Sequence, residues 1–289
     1  MPFTPSHAVV ALAFVRTPLV PAAIAVGAMT PDLPLFVRGM FPSYAHTHDF
    51  TWLPLTVIVA LALLLVWWCL LRPVSSELAP RWLAERLPGE WDEPAGAALR
   101  AAFGVGEPGA AGSRGQRAGS AMTTSAMLLL SLALGAATHI VWDLFTHEGR
   151  AGTEMLPILN EQWGPAAGYE LQGYKWLQHG SSAVGLALLV LCAVVWLRGR
   201  ARITPSTPTL PRWVRVSWWL SLPLLLVAAW VWGLWIFGPL TTEWTVAHLA
   251  YRVLPPAAAG FGFVTLALSL GVQALHARRR SAVRQAQRA

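Results

Sequence analysis

Apolar residues in this chain form long uninterrupted runs, not an alternating or heptad pattern. Five runs approach or exceed the roughly 20 residues that cross a bilayer as a helix, at 52–71, 121–145, 176–197, 213–237 and 257–275. A sixth stretch, 7–29, contains Arg16, Pro18 and Pro21 and is divided into two pieces of about ten residues. This stretch either spans once or forms a re-entrant helical hairpin that turns near 16–21. We therefore predict an all-α, polytopic integral membrane helical bundle with five clear transmembrane helices and an N-terminal apolar segment.

Composition agrees with this pattern. The chain is 55% hydrophobic and only 12% charged, with 16 tryptophans, whereas soluble domains are about 25% charged. We predict one membrane domain over 1–289. Its parts are an N-terminal apolar segment and outer loop (1–51), core spans (52–198) with a cytoplasmic loop (72–120), two last spans (199–275) and a basic cytoplasmic tail (276–289). The segment EWTVAHLAYRVLPP predicts a short outer helix that ends at Pro255 and Pro256, before the last span.

The distribution of arginine predicts the orientation. Arginines are frequent in the loop after residue 71, in the loop after residue 197 and in the C-terminal tail, whereas 30–51, 148–175 and 238–250 contain few basic residues. Cytoplasmic loops retain Lys and Arg, so the first group and the C-terminus are expected in the cytoplasm. The net charge of +7 therefore reflects topology signals. We expect membrane lipids as partners and no nucleic acid.

The sequence HIVWDLFTH places ionisable residues at the end of an apolar run. His139, Asp143 and His147 are spaced i, i+4, i+8, so an α-helix presents them along one stripe. In the predicted topology Asp32 and His48 lie at the same outer depth as this stripe. We favour His48 over His46 as a ligand, because alternate residues share a face only in strands. Imidazole and carboxylate ligands suit zinc or another divalent ion, which would neutralise an aspartate that is costly in a membrane.

Simpler structural explanations compete with this metal site. His139 and Asp143 could form a buried hydrogen-bonded pair between helices, and Asp32 could cap a turn between two prolines. His147 and His48 lie nearer the membrane interface, where a lone histidine costs little free energy. His179 could be an interfacial anchor, and Ser181 could allow close helix packing.

Five segments together carry a family resemblance: MPFTPSH (1–7), GAMTPDLP (27–34), THDFTWLPL (47–55), ATHIVWDLFTH (137–147) and LQHGSSAVGL (177–186). They resemble a bacterial membrane family, the domain of unknown function 4184. The order of an early His, a Pro-Asp, a Thr-His and a His-x-x-x-Asp is also similar to inner-membrane proteins classed as metal-dependent hydrolases and, more distantly, to zinc-dependent phospholipases C. This resemblance implies six ligand positions, at His7, Asp32, His48, His139, Asp143 and His147.

The chain departs from those phospholipases in one respect. They carry a further His-x-x-x-Glu, whereas Ala183 stands four residues after His179 here. The resemblance therefore implies a site for one or two metal ions instead of three.

The function predicted from these observations is a metal-dependent hydrolase at the outer face of the bacterial cytoplasmic membrane. The expected substrates are lipid or lipid-linked phosphoesters, and the expected cofactor is a divalent metal, zinc in the first instance. Asp143, His139 and Asp32 are the catalytic candidates. The substrate-binding candidates are His179, Ser181, Arg38 and Lys175.

Two other functions remain open. The protein could be a non-enzymatic membrane protein that binds or transports a metal ion or protons, or a purely structural one. A transporter should carry ionisable residues into the cytoplasmic halves of its spans, and four of the five predicted spans have none there. This absence favours a one-sided site.

Overall fold

A computed structural model describes residues 4–105, 114–166, 169–203, 209–241 and 244–286. The described residues are mostly helical. The α-helices are α1 (Pro21–Met29), α2 (Leu33–Phe36), α3 (Tyr44–Thr47), α4 (Leu53–Val66), α5 (Ser75–Leu78), α6 (Arg81–Ala84), α7 (Ala95–Ala102), α8 (Arg114–Thr146), α9 (Ala151–Met155), α10 (Gly173–Gly199), α11 (Arg212–Phe237) and α12 (Val246–Ala286). Two short strands, β1 (Gln162–Ala166) and β2 (Tyr169–Gln172), pair antiparallel.

Among the described residues, five helical stretches are long and apolar enough to cross a membrane: Phe50–Leu78, Gly119–Thr146, Gly173–Gly199, Arg212–Phe237 and Val246–Arg279. They contain the five predicted runs, which confirms the predicted fold class. The chain packs as two compact units. The first comprises Met1–Leu33, Phe41–Leu64 and Arg100–Gly199, and the second comprises Pro34–Met40, Leu65–Leu99 and Arg200–Ala289. The predicted single membrane domain over 1–289 depends on how these two units associate. It therefore stays a prediction.

The N-terminal segment of the first unit is a helical hairpin. A 3₁₀ helix, Thr4–Phe14, forms the first arm and α1 forms the second, with the exposed Arg16 at the turn between them. His7 near the start of the first arm stacks on the His139 ring at 3.9 Å between centroids. Ala28, near the end of the second arm, accepts a hydrogen bond from the same ring. Both outer ends of the hairpin therefore meet at His139, and of the two alternatives the structure has the hairpin.

Two glycines allow α1 to pack closely on α8. A Cβ atom on Gly27 would collide with the Leu132 carbonyl, and one on Gly135 would collide with the carbonyl of Ile24 and approach the amide nitrogen of Ala28 to 2.7 Å. Small residues at such crossings let two helix backbones approach each other. The Ser131 hydroxyl also accepts from the Val20 amide, one of the N–H groups that a helix start leaves unpaired.

The predicted stop at Pro255 and Pro256 is wrong, because α12 runs through both prolines. Proline lacks an N–H, so Pro255 leaves the carbonyl of Tyr251, four residues earlier, without its helical donor. The Arg38 guanidinium donates to this carbonyl at 2.7 Å and lies over the Tyr251 ring at 5.2 Å. A donor from a distant part of the second unit thus replaces the missing helical hydrogen bond.

The first span likewise extends beyond its predicted end at residue 71. It continues through a π-helical turn, Trp67–Leu71, a 3₁₀ turn, Arg72–Val74, and α5. Pro73 deprives the Cys69 carbonyl of a donor, and the Gln273 side chain donates to this carbonyl at 2.8 Å. The predicted loop 72–120 therefore begins with helical structure.

A double-mutant cycle tests the role of Arg38. We expect Arg38→Ala to destabilise the protein by about 0.5–1.5 kcal/mol, because the Tyr251 carbonyl loses its hydrogen bond. In a Pro255→Ala background, where residue 255 regains an N–H, the same change should have a clearly smaller effect. Chemical unfolding in mixed micelles measures both differences. Equal losses in the two backgrounds would show that Arg38 does not compensate for Pro255.

Candidate metal centre

Four buried side chains of the first unit converge on one point. Asp32 ends a 3₁₀ turn after α1, His48 follows α3, and His139 and Asp143 lie one turn apart on α8. One potential ligand atom from each lies within 4.8 Å of the other three. All four residues are at most 6% exposed. The structure therefore brings together four of the six predicted ligand residues, two aspartates and two histidines from separate parts of the chain.

Backbone carbonyls determine which ring nitrogen of each histidine faces the centre. His139 Nδ1 lies 2.7 Å from the Ala28 carbonyl oxygen, and His48 Nδ1 lies 3.0 Å from that of Tyr44. A carbonyl oxygen can only accept, so both Nδ1 atoms carry the proton in the neutral rings. Both Nε2 atoms then present lone pairs to the centre, which is the arrangement of metal-binding histidines.

The distances between the donor atoms suit one shared cation. His48 Nε2 and His139 Nε2 are 3.2 Å apart, and Asp143 Oδ2 lies 3.3 Å from the first and 3.5 Å from the second. Ligand atoms about 2.0–2.1 Å from a tetrahedral zinc ion lie roughly 3.3–3.4 Å from one another. Asp32 Oδ1 is the looser fourth donor, at 3.7 Å and 3.9 Å from the two Nε2 atoms.

His7 lies beside this group without belonging to it. Its Nε2 atom is 3.9 Å from Asp143 Oδ1, and neither atom has a hydrogen-bond partner among the described residues although both are buried. Asp143 therefore directs Oδ2 at the two histidines and Oδ1 at His7. Both atoms are unpaired and near enough to each other for one small polar species to bond to both.

His147 contacts the group from the outside. Gln178 Nε2 can only donate, and it lies 3.2 Å from His147 Nε2, so the neutral ring carries its proton on Nδ1. This Nδ1 atom faces Asp143 Oδ2 at 3.5 Å. Burial lowers the pKa of His147 from its ordinary value, which favours the neutral ring. His147 thus orients Asp143, instead of providing one of the four grouped ligand atoms.

We expect His147→Ala to weaken metal binding without abolishing it. Loss of an outer partner of a ligand typically lowers metal affinity about 10–100-fold. Competition titration with a chromophoric chelator measures the dissociation constant, and saturating metal should restore the full stoichiometry. His179→Ala, a change at an exposed histidine of α10, is the matched control and should leave affinity unchanged. Complete loss of the ion in His147→Ala would make His147 a ligand.

Three polar residues that the sequence interpretation did not select also support the centre. Thr4 Oγ1 donates to Asp32 Oδ2 at 2.7 Å, the Tyr44 ring stacks on His48, and Thr47 Oγ1 donates to the Pro31 carbonyl. Spacing carries a signal for Thr4, since it lies three residues before His7 and a 3₁₀ helix has three residues per turn. Tyr44 lies one α-helical turn before His48.

The predicted substrate-binding residues are not part of this cluster. Ser181 Oγ accepts from the Trp142 indole at 3.2 Å, Lys175 Nζ lies over the Tyr174 ring at 5.8 Å, and His179 is exposed. Arg38 is engaged with Tyr251 in the second unit. His46 bonds to the Ser43 hydroxyl and lies outside the four-residue group, which contains His48.

Five membrane-length helices and a buried cluster of two histidines and two aspartates define a multi-pass helical membrane protein with a candidate metal-binding site. The chain belongs to the family described as a domain of unknown function, DUF4184, whose profile matches residues 1–269. This match confirms the family resemblance. No curated protein and no solved structure matches the chain, so similarity to hydrolases stays a hypothesis.

Proposed function

We propose that this protein is a membrane-embedded, metal-dependent hydrolase whose ion is held by Asp32, His48, His139 and Asp143. One observation carries the proposal: two Nε2 lone pairs face each other at 3.2 Å, between two buried carboxylates. Lone pairs and carboxylates repel one another in a low-dielectric interior unless a cation lies among them. A divalent ion would balance both carboxylates, and two nitrogen and two oxygen donors suit zinc.

Hydrolysis needs a place for water beside the ion. A divalent ion supplies Lewis-acid chemistry and lowers the pKa of a coordinated water toward 7. His7 Nε2 and Asp143 Oδ1 are buried without partners next to the four donor atoms, and they would orient such a water. The longer distances to Asp32 Oδ1 support a site with room for a ligand that the protein does not provide.

The proposed substrates are lipid or lipid-linked phosphoesters. The centre lies at the end of one membrane-length helix, and Gln178 near the start of the next one contacts it through His147. A substrate that resides in the membrane could reach this depth laterally. The turns of α10 that contain Gln178 also carry Lys175, His179 and Ser181. We propose that these three residues contact the headgroup of the lipid substrate. The orientation that accompanies this proposal is an outward-facing centre and a cytoplasmic C-terminus in the bacterial cytoplasmic membrane.

The second candidate is a protein that binds a metal ion without hydrolysing anything. Four protein donors are typical of closed, structural zinc sites, which favours this alternative. Transport is less favoured, because α8 has no charged residue or histidine between Arg117 and His139, and α10 has none between His179 and Arg198. An ion that left the centre through the first unit would find no such ligand along these stretches.

The test combines metal analysis with a substrate screen. Wild-type protein in lipid nanodiscs is dialysed, its zinc, manganese and iron are quantified per chain, and it is incubated with phosphate-ester lipids and lipid-linked phosphates. We expect one equivalent of metal, hydrolysis that stops on chelation and returns with zinc, and no activity in His139→Ala. Bound metal without hydrolysis of any phosphoester would support the binding protein instead. Absence of metal from folded protein would exclude both.

A further inference from the structure

The described residues between α8 and α10 are held in place by hydrogen bonds of their own. Asn160 Nδ2 donates to the Thr153 carbonyl at 2.8 Å, and Trp163 Nε1 donates to that of Ile158 at 3.0 Å. The amide of Gly173 donates to the Glu161 carbonyl at 3.0 Å. Such a segment holds its side chains in fixed positions.

Despite this rigidity, the segment exposes large apolar side chains. Met155 is 76% exposed, Leu156 47%, Ile158 56% and Trp163 46%. We call these four residues the apolar tip. Their neighbours Thr153 and Leu159 are buried and anchor the segment, so the tip cannot fold inward without breaking that packing. A contiguous apolar surface on a rigid element indicates contact with a membrane or another protein.

The ends of the neighbouring spans place the tip near the bilayer surface. The spans Gly119–Thr146 and Gly173–Gly199 end and begin on either side of this segment. The Tyr174 hydroxyl donates to Glu148 Oε2 at 3.1 Å, so these two ends are adjacent. Both ends of the segment therefore lie at the level where the two helices leave the hydrocarbon core, and the tip is anchored between them.

The tip is also continuous with a surface that faces lipid. Trp176, on the first turn of α10 and partly exposed, donates from Nε1 to the Gly164 carbonyl of β1 at 3.2 Å. Farther along α10, Val184, Leu188 and Leu191 are exposed on a membrane-length helix. Tryptophan with its indole N–H satisfied is suited to the membrane interface. This continuity favours lipid over a protein partner.

We infer that the apolar tip inserts into the interfacial region of the bilayer leaflet next to the candidate metal centre. The Thr153 hydroxyl lies between two carbonyls just after the end of α8, 2.8 Å from that of Arg150 and 3.2 Å from that of His147. Any Cβ atom on Gly152 would meet the Leu144 carbonyl at 2.6 Å, which shows how closely α9 packs on the end of α8. The inserted tip is therefore attached directly to the residue that contacts Asp143, and it holds that end of α8 at the membrane surface.

Site-directed spin labelling tests the insertion. Both cysteines are unbonded, so a Cys69→Ser, Cys192→Ser background accepts single cysteines at Met155 or Ile158, and at Glu154 as the matched control. Glu154 is exposed on the same helix as Met155. In nanodiscs, power saturation compares the accessibility of each label to oxygen, which concentrates in lipid, and to a water-soluble nickel chelate.

We expect the labels at 155 and 158 to be several-fold more accessible to oxygen relative to nickel than the label at 154. Equal ratios at the three positions would show a tip in water and would overturn the inference. Labels at 155 and 158 that are shielded from both reagents would show a protein contact, which overturns it as well.

Discussion

Replacing Asp143 with asparagine is expected to abolish metal binding at the proposed centre. Asp143 Oδ2 lies 3.3 Å from His48 Nε2 and 3.5 Å from His139 Nε2, and no other donor atom approaches both histidines so closely among the described residues. Asparagine has nearly the same shape but carries no charge, so it cannot balance a cation between the two lone pairs. The loss of affinity should exceed the roughly 100-fold that changes to outer partners cause.

Metal content per chain after dialysis, with competition titration of the dissociation constant, measures this effect. Asp49→Asn is the matched control: Asp49 is an exposed carboxylate directly after His48 whose oxygen accepts from the Thr51 amide, and an asparagine oxygen can do the same. Circular dichroism and gel filtration verify that both variants are folded. If folded Asp143→Asn retained the metal with wild-type affinity, the four-residue group would not be the binding site.

The second large effect is expected from Gly135→Ala. The added methyl group would collide with the Ile24 carbonyl and lie 2.7 Å from the Ala28 nitrogen, so α1 has to move away from α8. Overpacking of this kind typically destabilises a protein by about 1–3 kcal/mol. The shift also displaces the Ala28 carbonyl, which holds the proton on His139 Nδ1. We therefore expect weaker metal binding together with the loss of stability.

Gly119→Ala on the same helix provides the control. A Cβ atom there meets nothing within 4 Å, and alanine in a helix is favoured over glycine by roughly 0.5–1 kcal/mol. Unfolding by a denaturing detergent should thus occur at a higher denaturant fraction for Gly119→Ala and at a lower one for Gly135→Ala. If Gly135→Ala kept the stability and metal affinity of the wild type, the crossing of α1 and α8 would tolerate separation of the two helices. It would then not be what positions His139.

The sequence determined the spans and the ligand stripe of α8. Backbone groups in hydrocarbon have to be paired within their own segment, so an apolar run of sufficient length becomes a helix whatever surrounds it. The i, i+4 spacing of His139 and Asp143 puts both on one helix face by geometry alone. These features depend only on neighbours in the chain, and both were predicted.

Tertiary structure decided which polar residues serve the centre and which serve the fold. The sequence alone predicts that the helix ends at Pro255. In the structure the helix continues, and Arg38, 213 residues from Tyr251, donates to the carbonyl that Pro255 leaves free. His147 shares the stripe of α8, yet Gln178 holds its ring outside the ligand group. The hairpin of residues 4–29 required the contacts of His7 and Ala28 with His139. In each case a partner distant in the chain satisfies or orients a polar group, and such pairing depends on the packing of helices that no local pattern records.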